Sequence, residues 1–390
     1  MHLGFALLTL FPGRVGGSEA NVRGLIGQFS AGNGPERVTV LANRLVAQAY
    51  ADRVGGPARL HRVRSYRAGD SGPTRLAAMT AAAAAPRLAA RDVPRDLDLL
   101  HHPVTVPIPR LKGVPVVATV YDVQHHDLPA LFSRAERGFR RWAYDGAART
   151  ADRVVTTSTY SAGRLAEAAG VSPERIEVIH MGVDHDRFTP EPTEADARLR
   201  DQLPERYVLY PGNLWPHKNH DRLVDALGAA GDRDLALVLT GQDYGRLDAL
   251  LARAQRAGVR DRVHHLGYLP ADEVPAVIRG AEAMVFPSLY EGFGSPPLEA
   301  MACGCPVASS RRASLDEMVG DAVLDLEPES VDSIAAALDR ITTDSELRSG
   351  LRTRGLERAA GFTWADAAAR HVTLYEHVCA TWAPAVRSIR

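Results

Sequence analysis

Glu291-Gly-Phe-Gly-Ser-Pro-Pro-Leu-Glu299 sets two carboxylates, a glycine-aromatic-glycine turn and a helix start within nine residues. The apolar run Ala283-Met-Val-Phe286 before it predicts a buried strand, so Pro287 to Ser295 becomes a loop at that strand's carboxyl end. Ser295 is the expected N-cap. Pro296 and Pro297 fill the first helical turn, where a missing N–H costs nothing and the fixed φ is already helical. Gly292 and Gly294 let backbone amides approach a ligand, and those amides at the positive end of a helix suit a phosphate or a sugar hydroxyl.

The same unit of strand, loop and helix recurs along the chain. Strands are expected at Tyr207 to Tyr210, Leu235 to Thr240, Val263 to Leu266, Ala283 to Phe286 and Val307 to Ser309 in the second half. In the first half they are expected at His2 to Leu10, Val38 to Ala42, Leu97 to His101, Val114 to Tyr121, Val154 to Ser158 and Ile176 to Ile179. Helix-like stretches separate most of them, and such alternation implies parallel sheets covered on both faces. Pro211-Gly-Asn-Leu-Trp-Pro-His-Lys-Asn219 is a second anion-friendly loop, in which Gly212 gives close backbone approach and Lys218 a point charge beside His217. Gly16 and Gly17 end a third loop and precede a helix expected from Asn21 to Phe29, although the run does not match the G-x-G-x-x-G of nicotinamide sites.

At the carboxyl end of another strand stands Tyr121-Asp-Val-Gln-His-His-Asp-Leu-Pro129, with His125 and His126 as candidate hydrogen-bonding or catalytic groups. Asp96-Leu-Asp98 has the form of a metal motif, but no further carboxylates gather beside it in sequence, so it reads as the polar entry to a strand and no metal site is expected. Ser133 to Ala148 mixes four arginines with Phe139 and Trp142. A solvated helix face is the reading there, with peripheral membrane contact a minor one.

The flanks Glu291-Gly-Phe-Gly294 and Pro297-Leu-Glu-Ala-Met-Ala-Cys-Gly-Cys-Pro-Val307 resemble the E-x7-E signature of family 4 retaining glycosyltransferases. That resemblance implies the α/β GT-B fold, two Rossmann-like domains facing one another across a cleft, with a C-terminal helix crossing back to the N-terminal domain. It assigns residues 1–188 to acceptor binding, 189–362 to the nucleotide-sugar donor and 363–390 to the returning helix. The linker is expected near Asp186 to Pro204.

The activity implied is retaining, metal-independent transfer of a sugar from a UDP-, GDP- or dTDP-sugar to a hydroxyl acceptor, with the nucleotide sugar as co-substrate and no cofactor. Glu291 is assigned to the transferred sugar. Lys218, His217 and the amides of Gly16 and Gly17 are assigned to the departing diphosphate, and Glu299 to the ribose. Gly212, Asn213, Gly292, Phe293, Gly294, Ser295 and Leu298 complete the donor site, and Gly241, Tyr268 and Leu269 receive the base. Two departures stand out: Tyr121 where the family commonly has His, and Asn213 where it often has Arg. A sugar-nucleotide epimerase and a non-catalytic nucleotide-sugar binder are the rival readings.

Composition agrees with a two-domain enzyme acting on small molecules. The chain has 390 residues, too many for one ordinary core, and 46 basic against 47 acidic residues give no footprint for nucleic acid. Three cysteines, Cys303, Cys305 and Cys379, are too few for a disulfide framework and suggest buried thiols in the cytoplasm. Leu3 to Phe11 lacks the basic start and cleavage site of a signal peptide, and no stretch is apolar for the length of a membrane span. Sugar, base, acceptor and oligomeric state are not legible.

Overall fold

Two all-parallel sheets organise the chain. The computed structural model describes residues 1–13, 16–67 and 72–382. They form two units, Met1–Gly182 with the helix Trp364–Thr381, and Val183–Thr363.

In the first unit the strands are β1 (His2–Ala6), β2 (Arg37–Ala42), β3 (Ala58–Arg62), β4 (Leu99–His102), β5 (Val116–Thr119), β6 (Arg153–Thr156) and β7 (Ile176–Val178). Their spatial order is β3-β2-β1-β4-β5-β6-β7, every pair parallel. The second unit carries β8 (Tyr207–Pro211), β9 (Ala236–Thr240), β10 (Val263–His265), β11 (Ala283–Phe286), β12 (Val307–Ser309) and β13 (Leu324–Asp325). Its order is β10-β9-β8-β11-β12-β13, again parallel. Each sheet starts at its centre, winds to one edge, returns and winds to the other. The reversal falls between β1 and β4 in one unit and between β8 and β11 in the other, and a doubly wound sheet opens its ligand crevice at that point, beyond the carboxyl ends of the strands.

Central strands are buried on both faces, which is why β1, β9 and β11 are buried at every position, and β11 reads as an unbroken apolar run without alternation. The first unit's core joins Phe5, Leu25 and Phe29 to Leu374, Tyr375 and Val378 of the last helix. That helix lies on the helix Gly17–Ser30, where the indole of Trp364 occupies the space a side chain at Gly24 would need: a Cβ there would fall 2.2 Å from the ring.

Several boundaries differ from the sequence expectation. β1 stops at Ala6, and the carbonyls of Leu8 and Leu10 turn instead to the Asn43 side-chain amide. β3, an edge strand with two arginines, and β13, of two residues, carry too little apolar pattern to be expected. The helix after the first glycine loop begins at Gly17, earlier than Asn21. Residues 133–148 are not one helix but Arg134–Arg140, a π-helical turn Arg141–Asp145, and Gly146–Thr150. The units divide after Gly182, ahead of the expected linker; within 186–204, Glu194–Arg200 is helical and is held to the second unit by Arg279, which donates to Asp196 Oδ1 at 2.9 Å.

Asp98 accepts the His2 amide at 2.7 Å and Asp96 the Arg37 guanidinium at 2.8 Å, so both carboxylates serve the chain itself. Cys303 and Cys305 are buried thiols pushed up to about 12 by that burial, whereas Cys379 is only half-buried. Among the described residues no helix is long and apolar enough to cross a membrane.

Buried histidines make this fold sensitive to acid. His101 bonds Tyr375 Oη at 2.7 Å and Thr119 Oγ1 at 2.8 Å, and burial holds it well below its ordinary value. Burial also lowers His102 to about 3 and His371 to about 4. Between the unfolded value near 6.5 and about 4, the unfolded chain therefore takes up protons that the fold refuses, and stability falls as pH falls. Each pH unit below 6.5 should remove about 1.4 kcal/mol for each such histidine. Urea midpoints measured from pH 8 to pH 4.5 should be level above about 7 and drop steeply below 6; a profile level through that window would contradict this account.

Candidate functional site

In the second unit both sequence-predicted anion loops leave the sheet at the reversal, one after β8 and the other after β11. The fold thereby brings Lys218 to Glu291: Nζ donates to Oε1 at 2.7 Å, and each side chain is 11 % exposed. The Lys218 ammonium also lies 5.4 Å from the centre of the Phe286 ring. A cation and a carboxylate, both largely dehydrated, thus face one another at the mouth of the crevice.

Neutral hydrogen bonds lock the two loops together. Leu289 N donates to His217 O at 2.8 Å, and the Tyr210 hydroxyl bonds Lys218 O at 2.7 Å and Ser288 Oγ at 2.9 Å. Asn219 adopts a left-handed conformation (φ 64°), which Asn tolerates better than most residues, and its amide reaches Pro287 O at 3.0 Å and Pro328 O at 2.6 Å. Ser314 Oγ donates to the carbonyls of Glu291 at 2.9 Å and Phe293 at 3.1 Å. None of Tyr210, Ser288 or Ser314 was singled out from sequence, because a lone hydroxyl carries no signal until its partner is in place. His217 is buried beside the Trp215 ring, and His220, lowered to about 3 by burial and then by the Lys218 charge, stays neutral. Lys218 is therefore not reinforced by a protonated His220.

Asn213 takes a structural part where an arginine was the family's expectation: its Oδ1 accepts the Gln242 amide at 2.8 Å and pins the loop after β9. Gly241 is required by that same closeness, since a Cβ there would lie 2.8 Å from the Gly212 carbonyl carbon. At Gly212 a Cβ would make only ordinary contact with the Lys218 stem, so packing does not demand a glycine there. Tyr268 and Leu269 follow β10 on the same sheet edge, and Tyr268 is 61 % exposed.

The helix of the opening motif runs Ser295–Ala302, and its cap is Gly294 in the left-handed region (φ 95°), not Ser295 as expected. Pro296 and Pro297 do occupy the first turn. Leu298 and Phe293 are buried, and the Phe293 ring meets Phe362 edge-on at 6.1 Å. Glu299 stands one turn into the helix and is half-buried, yet burial of its carboxyl pushes it up to about 7; Arg187 pulls it down and Asp184 adds to the rise. A carboxyl poised near neutrality on a rigid helix can accept ligand hydroxyls or donate its own proton.

The first unit holds the remaining predicted groups. Gly16 caps the helix Gly17–Ser30 with φ 56°. Glu19, unremarked in the sequence, is buried and accepts the Gly13 amide at 2.7 Å, bracing the glycine loop from within. Tyr121 is held rather than presented: its hydroxyl donates to Pro103 O at 2.8 Å and receives the Asn21 amide at 2.9 Å. Burial raises the phenol's pKa further from titration at neutral pH. His125 and His126 both turn their Nε2 atoms to Asp145, at 3.1 and 3.0 Å. Asp145 escaped the sequence reading because it lies 20 residues beyond His125, on a separate helical segment.

Comparison with known proteins agrees with this geometry. Residues 15–187 match the family model described as Glycosyltransferase Family 4, and residues 193–358 the one described as Glycosyl transferases group 1. The chain is 29 % identical over 265 residues to the O-antigen chain mannosyltransferase B of Escherichia coli, covering 67 % of this chain and 70 % of that protein. It is 30 % identical over 298 residues to the D-inositol 3-phosphate glycosyltransferase of Frankia alni, covering 73 % of each. In fold it is similar to Anabaena Alr3699/HepE in complex with UDP-glucose, with a TM-score of 0.73 at 19 % identity over 98 % of this chain and 100 % of that one. The two sheets are those of the GT-B fold, and the chain belongs to the family 4 glycosyltransferases.

Proposed function

We propose that this glycosyltransferase moves a hexosyl group from a nucleotide diphosphate sugar to a hydroxyl acceptor, with retention at the anomeric carbon and without a metal at the diphosphate. The second unit takes the donor and the first the acceptor. The observation that carries this reading is the Lys218–Glu291 pair, positioned by the two loops that leave the sheet at its reversal. The structural likeness to a protein in complex with UDP-glucose supports a nucleotide-sugar donor.

As the bond from anomeric carbon to phosphate oxygen lengthens, negative charge collects on the diphosphate. A donor already aimed at that position lowers the barrier because it need not reorganise. Lys218 supplies the charge, and the amides of Gly294 and Ser295, which lead into the helix Ser295–Ala302 ahead of its two prolines, supply dipoles. On donor binding the ammonium exchanges a carboxylate partner for phosphate oxygens, and Glu291 turns to the hydroxyls of the sugar in transfer. The acceptor oxygen bonds to the anomeric carbon, the phosphate leaves with the electron pair of the broken bond, and the acceptor's proton passes to that phosphate. Glu299 accepts hydroxyls of the ribose.

Three measurements test this. Among the described residues the second unit gathers no set of three His, Cys or carboxylate ligands beside Lys218, so turnover should persist in EDTA. Loss in EDTA restored by magnesium or manganese would overturn metal independence. Lys218→Ala should lower kcat as well as donor affinity, by roughly 2 to 4 kcal/mol of transition-state stabilisation. Unchanged kinetics would remove Lys218 from the chemistry.

The two glutamates should separate. Glu291→Gln ought to depress kcat while sparing affinity for the free nucleoside diphosphate, whereas Glu299→Gln ought to raise KM and spare kcat, because a ribose contact is equal in ground and transition states. The ionised form of Glu299 is the better acceptor, so nucleoside diphosphate affinity should weaken as pH falls through about 7 and lose that dependence in Glu299→Gln. Titration calorimetry beside steady-state kinetics reads both effects, and the reverse pattern would exchange the two roles.

A further inference from the structure

His125, His126 and Asp145 form a compact set that the transfer chemistry proposed above does not use. One ligand atom from each lies within 4.8 Å of the other two. The side chains of His125 and Asp145 are 0 % and 4 % exposed, and that of His126 is 18 % exposed. The two imidazoles sit side by side, 4.3 Å between centres and inclined at 45°, on the short helix Gln124–Asp127 that follows β5. Asp145 closes the π-helical turn Arg141–Asp145, a local widening that recurs where a helix must aim a functional side chain.

We propose that this trio is a binding site for one divalent transition-metal ion of the zinc class. Two imidazole nitrogens and one carboxylate oxygen are the donors such ions favour over magnesium or calcium, and a site with three protein ligands leaves a position for water. Tetrahedral bonds of about 2.0 to 2.1 Å need ligand atoms about 3.3 Å apart. Asp145 already stands with Oδ1 3.1 Å from His125 Nε2 and Oδ2 3.0 Å from His126 Nε2, and the three ligand atoms, within 4.8 Å of one another, draw together to that spacing as the ion enters. In the empty site each Nε2–H donates to the carboxylate. On binding, each ring gives its Nε2 lone pair to the metal and carries its proton on Nδ1, so no net proton is released. The ion enters past His126, the one partly exposed ligand. Arg149, 3.9 Å from Asp145 Oδ2 and 53 % exposed, is free to swing into solvent as the positive charge arrives. Occupancy joins the segment after β5 to the π-helical turn, and because the empty trio is already hydrogen-bonded, removing the ion leaves the fold intact.

The test uses the full chain, stripped of metal and free of nucleotide, titrated with zinc chloride and, for its visible absorption, with cobalt chloride. One equivalent should bind, with d–d bands characteristic of a low-coordinate nitrogen and oxygen site, and the melting temperature should rise further as free metal accumulates beyond that equivalent. His126→Gln and Asp145→Asn should each weaken binding by about tenfold or more. His377→Gln, which removes an exposed histidine of the last helix, should retain the full equivalent. Should Asp145→Asn fail to fold, His126→Gln, at the exposed side of the trio, still decides. No stoichiometric binding, or an equivalent that survives His126→Gln unchanged, overturns the site.

Discussion

The ion pair between Lys218 and Glu291 is the constraint on which the chemistry proposed for the second unit depends. Two charges with about a tenth of their surface exposed hold one another in place, and each would be costly to strand. Removing one member of a buried pair typically destabilises by about 3–5 kcal/mol, because the survivor remains dehydrated without a counter-charge. The arrangement keeps an ammonium extended and ready in the empty enzyme, where a surface lysine would wander. In the proposed reaction an incoming diphosphate meets a preorganised donor and offers it a better partner. The carboxylate released in that exchange is the one the proposal assigns to the sugar.

Everything around that pair fixes distance. Tyr210, Asn219, Ser288 and Ser314 spend their polar groups on loop carbonyls and on one another, so the loops after β8 and β11 move as one piece. The parallel sheet beneath sets the spacing: Met284 of β11 is paired with Leu209 of β8, and both loops rise from the same edge. The first sheet repeats the same winding, and its reversal likewise presents a glycine loop, here braced by Glu19.

How legible this was in the sequence follows the range of each signal. Ala283–Phe286 and Val307–Ser309 were read with their observed bounds, because a strand buried on both faces is an uninterrupted apolar run between turn residues. The resemblance carried by Glu291–Val307 named the family outright. Pro296 and Pro297 announced a helix, but the cap went to Gly294, whose left-handed backbone no periodicity reveals. β3 was missed since an edge strand that alternates with arginines looks like loop. Asp145, Glu19 and the serines could not be found, because their meaning lies in partners distant along the chain. Tyr121 stood out in the sequence as a departure from the family's usual His, and its hydroxyl is taken up by Pro103 and Asn21.

The last helix has a consequence for the order in which the protein is made. Tyr375 completes the first unit's core and bonds His101 across 274 residues of chain, all of the second unit among them. As the chain leaves the ribosome, the first sheet is finished by Val178 but its core stays open on the face that Trp364–Thr381 will cover. The second unit, whose residues are contiguous, can close at once. The first half must then wait, with apolar surface beside Phe5 and Phe29 unsealed, until the final helix emerges. The unit synthesised first is the one completed last, and a nascent chain stalled within the second unit carries an exposed apolar face that invites chaperones or aggregation.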